Sequence, residues 1–399
     1  MAYVPPADHV AKARGLVAEA KANGGLTPVD LEWFWADQDV AAKDPFAGKG
    51  GGQVPLGIFN SDEPVFDELG VTEDFWRLYN DAAWRIGLHK VYNDKAQKII
   101  GKRILSEEMP PPADRQYPPV KMLHDIFEGV NEWHGWSWWL KQVANTEDQL
   151  KALLDRVERR LENLRAFMLP EGWEEAKARL LPRGIKPALY RSQRGPCTFA
   201  CSIFGSENML LLCMDNPDLA VRFRDLILRA MLERGRILDE EAGYTPQTAP
   251  HGFSFFDDNC CLFNIEMYEL FGAPILRAIF ARWSPNPEDR RFQHSDSAMG
   301  HLLPILGSMH LTGANFGPTL TVSDIRKHCP RAVIYGQLAP FTFSRNEEEN
   351  MVMELLRDFE QAKAQRGLVF ATAGSINNGS RLTGMRLLMA AAQRWCRYE

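Results

Sequence analysis

From residue 186 onward, short apolar runs alternate with helix-patterned stretches, and this alternation constrains the fold more than any other feature of the chain. The runs lie at 187–190, 252–256, 291–293, 313–316, 332–335 and 368–371. Helices are predicted between them, near 216–240, 265–282, 298–308, 322–328 and 347–365, with a last one over about 381–396. Strands separated by helices cannot pair as tight hairpins, so they pair in parallel. A chain of 399 residues is long enough for one barrel of eight such units plus an extension. The predicted fold is α/β: a (β/α)8 TIM barrel over 51–399 behind a helical, aromatic-rich extension over 1–50.

The first half is less regular. A polar, Ala-rich helix is predicted over 7–24, stopped by Gly24-Gly25. Trp33, Phe34 and Trp35 read as anchors of the next helix onto the body. The glycines of 48–52 read as a linker, because no GxxxxGK[ST] pattern follows and the strand-like 54–59 stands after them rather than before. Further helical patterns cover 72–101 and 145–180, the second opening on an Asn145-Thr146-Glu147-Asp148 cap. Trp133, Trp136, Trp138 and Trp139 form an unusual cluster that either packs under a lid or lines an apolar pocket, with Trp136 as a substrate-binding candidate.

Composition narrows the function classes. Lys plus Arg number 46 against 52 Asp plus Glu, a net charge of -6, so the basic footprint of phosphate-backbone binding is missing and nucleic acid is not an expected partner. No apolar run approaches the roughly 20 residues that cross a bilayer, and the N-terminus shows no signal-peptide pattern. The seven cysteines are odd in number, include the adjacent Cys260-Cys261, and contain no CxxC. A reducing, cytoplasmic setting is expected.

Polar and glycine residues follow each predicted strand. In a parallel barrel all these carboxyl ends open on one face, where barrel enzymes hold their active sites. Asp257 and Asp258 alternate in direction, so one of them faces the centre; a carboxylate there serves as acid, base or ligand, or else caps the next helix. His294 and Asp296 stand at i and i+2, on one side of an extended segment, which suits a metal pair as well as a structural role. Arg191 and Arg194 bracket a turn, where one neutralises an anionic substrate or tethers backbone. Asp257, Asp258 and Arg194 are the catalytic candidates. Arg191, Gln193, Gln337 and Asn377 join Trp136 as substrate-binding candidates, and the metal candidates are His294 and Asp296.

Three further stretches carry a resemblance. Gly195-Pro196-Cys197-Thr198-Phe199-Ala200 comes first. Asp257-Asp258 follows, with Glu266-Met267-Tyr268-Glu269-Leu270-Phe271 and Pro274-Ile275-Leu276 behind it. His294 then leads into Gly300-His301-Leu302-Leu303-Pro304-Ile305-Leu306. In type and order they are similar to the uroporphyrinogen decarboxylase superfamily over roughly 185–399, which implies a (β/α)8 barrel. The arginine-rich segment with which true uroporphyrinogen decarboxylases grip propionates has no counterpart here, so the resemblance points to the corrinoid-dependent methyltransferase branch.

Members of that branch bind zinc through a His-x-Cys pair and a Cys at the end of strand eight. His294 matches the histidine, Asp296 stands at the first cysteine, and Gly374 or Ser375 stands at the second. The resemblance therefore implies an oxygen-rich site for zinc or another divalent metal, with Asp258 as a further ligand. The implied function is a methyltransferase component that demethylates a small methylated compound, such as an aromatic methyl ether, onto cobalamin carried by a partner corrinoid protein. Two alternatives stand beside it: a metal-free lyase or decarboxylase using Arg191 or Arg194 and Asp258, and a non-catalytic binding barrel. Related barrels often form homodimers.

Overall fold

The computed structural model describes residues 4–47, 52–58 and 62–398. Most of the predicted 48–52 linker and the end of the 54–59 run lie outside the described residues. The chain forms two compact units, one of Pro110–Ser295 and Met299–Thr312, the other of Met1–Met109, Asp296–Ala298 and Gly313–Glu399. Each contributes three parallel strands with helices between them.

The first unit opens with an antiparallel hairpin of β1 (Asn131–His134) and β2 (Ser137–Leu140), which sequence patterning missed. Gly135 turns it at φ 61°, and aromatic cross-strand pairs suit a short exposed ribbon. Three parallel strands follow in order: β3 (Ser192–Arg194), β4 (Phe253–Phe256) and β5 (Arg291–Ser295). The 187–190 run is not a strand. Tyr190 takes a left-handed φ of 50°, which no strand tolerates, and pairing begins two residues later.

The predicted 145–180 helix is three helices, Glu147–Glu162, Leu164–Met168 and Trp173–Leu180. Non-helical Asn163 and left-handed Gly172 interrupt it. Thr146 caps the first by accepting from the Gln149 amide at 3.2 Å. Leu150, Leu153, Leu154, Val157 and Leu161 form its buried stripe. The longest helix, Pro217–Glu241, starts with proline at its first turn and Asn216 as its cap.

The second unit holds β6 (Gly313–Phe316), β7 (Val333–Leu338) and β8 (Leu368–Thr372), again parallel and consecutive. The Asn315 amide ties them together, donating to the Tyr335 carbonyl at 2.5 Å and the Thr372 carbonyl at 2.9 Å. Extended residues 54–58 run beside β8, with Phe370 donating to Pro55 and accepting from Gly57, both at 2.8 Å. Helix Ala7–Ala22 packs on Glu348–Ala362, and Ala82–Ile100 on Leu382–Trp395. The predicted 72–101 helix breaks at Asp81, whose side chain caps the second part by accepting from Trp84. Among the described residues no single helix is long and apolar enough to cross a membrane. Six parallel strands, rather than the expected eight, are present among those residues.

Candidate active site

The chemistry of the first unit collects where β3, β4 and β5 end. Gly195 follows β3 and donates its amide to the Phe256 carbonyl at 2.6 Å. Only glycine fits there: a Cβ would come within 2.1 Å of the Asp257 Cβ. That close approach lets Asp257 cap helix Pro196–Phe204, accepting from the Thr198 amide at 2.7 Å. Thr198 reciprocates, its hydroxyl accepting from the Asn259 amide at 2.9 Å. The two strand-end turns are thus interlocked.

This locking separates the adjacent aspartates. Asp257 is wholly buried and its second oxygen has no hydrogen-bond partner. Burial pushes its carboxyl up to about 6, with the Thr198 hydrogen bonds opposing. Asp258 is half-exposed and faces His294 of β5, whose Nε2 lies 3.8 Å from the Asp258 Oδ1. The Phe256 ring sits 5.4 Å from the imidazole and covers one side of it. Asp296 follows His294 by two residues in the chain. Donors sharing a divalent ion at 2.0–2.2 Å each stand roughly 3–4 Å apart. The facing imidazole and carboxylate of His294 and Asp258 are donor types that suit a hard or borderline divalent metal.

Asp296 is itself cradled by glycine: a Cβ at Gly374 would lie 2.6 Å from the Asp296 Cβ, and one at Gly317 would lie 2.4 Å from its carbonyl oxygen. A cysteine at 374 has no room while aspartate occupies 296.

Beside the Asp258–His294 pair lies a cavity of about 260 Å³, lined in part by Gln193, Arg194, Phe256, His124, Asn131 and Leu140. Gln193 also donates to the Tyr190 carbonyl at 3.2 Å. Arg194 is braced by Ser202 at 3.0 Å. Desolvation lowers its guanidinium, and the Asp258 carboxylate counters that.

Sequence reasoning passed over His124 and Asn131. They carry no motif, since His124 lies on the four-residue helix Leu123–Ile126 and Asn131 opens the unforeseen hairpin. Their ring and amide nitrogens meet at 3.2 Å. Burial lowers His124, Arg194, Arg234 and Lys121 lower it further, and Asp125 opposes them.

The other candidates lie elsewhere. Arg191 does not line this cavity: it is ion-paired to buried Asp239 and its guanidinium sits 4.7 Å over the Trp283 ring. In the second unit, Gln337 is buried and donates to the carbonyls of Gly317 and Leu320 at 3.1 and 2.8 Å. The Asn377 carbonyl accepts from the Ser380 hydroxyl at 2.8 Å in the loop after β8. Trp136 sits exposed at the hairpin turn.

The Asp257 shift gives a pH prediction. Its folded value of about 6 lies above the ordinary 3.8, so the folded form keeps a proton that the unfolded chain has released. Its contribution to stability is complete below about 3.8 and is lost as pH rises through about 6. Asp257→Asn keeps the cap acceptor and removes this dependence. Urea titrations of both proteins between pH 4 and pH 7 are expected to show the variant gaining on the wild type as pH rises. A constant difference would show that Asp257 does not titrate there.

No protein-family model matches the chain, and no curated protein sequence matches it. A solved structure, a methyltransferase from Methanosarcina mazei, is similar over 90% of this chain and 98% of that chain, with a TM-score of 0.50 and 12% identity. At that identity the likeness is one of fold: the chain has a methyltransferase-like α/β fold.

Proposed function

We propose that this protein is the demethylating component of a methyl-transfer system. It takes the methyl group of a small, oxygen-linked methyl compound and passes it to a corrinoid carried by a separate protein. The observation that carries this reading is the pairing of Asp258 with His294 at neighbouring strand ends beside a cavity lined by Arg194, Gln193 and Phe256. In the same reading, residues 51–399 form one (β/α)8 barrel of the uroporphyrinogen decarboxylase type behind a helical extension. The parallel strands and the strand-like pairing of 54–58 with β8 support this.

Asp258, His294 and Asp296 would hold a divalent metal, which would supply Lewis acidity toward an ether oxygen. Phe256 shields the imidazole on one side. Arg194 and Gln193 orient the body of the substrate. The carbon–oxygen bond breaks with its electron pair left on oxygen as the methyl group passes to the electron pair of the partner's reduced corrinoid, and the oxygen takes up a proton from solvent. With a carboxylate at 296 and glycine at 374, the site favours oxygen leaving groups over thiolates.

The test mixes the purified protein, a reduced corrinoid protein and candidate methyl ethers, with metal content measured in parallel. Methyl-corrinoid should form only with metal-loaded protein. If no methyl ether yields it, the proposal fails. Activity on carboxylated substrates in metal-free protein would instead support the lyase reading, in which Arg194 holds the carboxylate.

A further inference from the structure

The base of the β1–β2 hairpin belongs to the cavity wall: Asn131 and Leu140 line it and are cross-strand partners. The next pair on that same face is Trp133 with Trp138, because side chains two residues apart on a strand share a face. Their rings meet edge to face at 5.5 Å. The opposite face carries Glu132 against Trp139, with Glu132 ion-paired to Lys141 at 3.0 Å. Trp133 is half-buried, and Trp138 and Trp139 are both exposed. The tryptophan pair thus continues the cavity wall outward by about 7 Å, the length of two strand residues.

We infer that Trp133 and Trp138 form an aromatic subsite at the mouth of the cavity, and that the ligand it admits is a planar aromatic compound bearing an anionic group. The ring lies against the indoles. The anion faces Arg194, the cation of the cavity lining. That same charge excludes quaternary ammonium ligands, which an aromatic pair alone would attract. Trp136, at the turn, lies beyond this face. The assignment rests on the proposed methyl transfer only for the fate of the ligand, not for its binding.

Isothermal titration calorimetry of the full chain separates the two. The probes are 4-methoxybenzoate, cyclohexanecarboxylate, methoxybenzene and tetramethylammonium. Trp133→Ala and Trp138→Ala are each expected to weaken 4-methoxybenzoate by about tenfold and to leave cyclohexanecarboxylate unchanged. Trp133→Phe should retain most of the affinity, and Trp139→Ala all of it. Arg194→Gln should weaken both carboxylates by about tenfold or more and spare methoxybenzene.

The inference is overturned by equal losses in Trp139→Ala, by equal losses for the two carboxylates in the tryptophan variants, by tighter binding of tetramethylammonium, or by no binding of 4-methoxybenzoate to the wild type. Binding as expected without any methyl transfer would overturn the proposed function and leave this subsite standing.

Discussion

His294→Ala is expected to lower methyl transfer by about a hundredfold or more while the protein stays folded, because a metal ligand is harder to replace than the outer partners whose loss alone costs 10–100-fold. His294 is partly buried near the end of β5. Asp258→Asn and Asp296→Asn keep the shape of the donor set and remove charge, so they should weaken metal retention less than His294→Ala does. Metal content by plasma emission and circular dichroism separate loss of the ion from loss of the fold. A His294→Ala protein with wild-type metal content and wild-type rate would remove the donor set from the chemistry.

Trp283→Ala carries the second large effect, on stability. Trp283 is 1% exposed, stacks on Phe253 at 5.6 Å and donates its indole N–H to the Asp239 Oδ2 at 3.0 Å. It also lies under the Arg191 guanidinium and against Gly235, where a Cβ would come within 2.4 Å of the ring. Truncation empties a well-packed site and leaves a buried carboxylate short of one partner. Together these cost about 3–5 kcal/mol. Trp283→Phe keeps most of the packing and loses the hydrogen bond, for about 1–2 kcal/mol. Urea unfolding measures both. A loss under about 1 kcal/mol in the alanine variant would show that this network does not support the sheet.

The same network explains why Arg191 and Arg194 diverge. Three residues apart in sequence, they read as equals for gripping an anion. In the structure one is ion-paired to buried Asp239 and the other lines the cavity. The deciding partner, Asp239, lies on helix Pro217–Glu241, far away in sequence and with no local signal pointing to it. Asp257 and Asp258 behave similarly. Strand alternation foretells that they point apart, but which one is buried depends on Gly195 approaching from another strand end.

The sequence by itself determined the parallel strand-and-helix order after residue 186, since apolar period and turn residues act locally. It also marked Asp258, His294 and Asp296 as polar groups ending neighbouring strands. Tertiary structure decided the rest: the strand starting at Ser192 rather than at 187, the hairpin of tryptophans, and the entry of His124 and Asn131 into the cavity. These depend on contacts between residues distant in the chain, whose energies overrule weak local preferences in short segments.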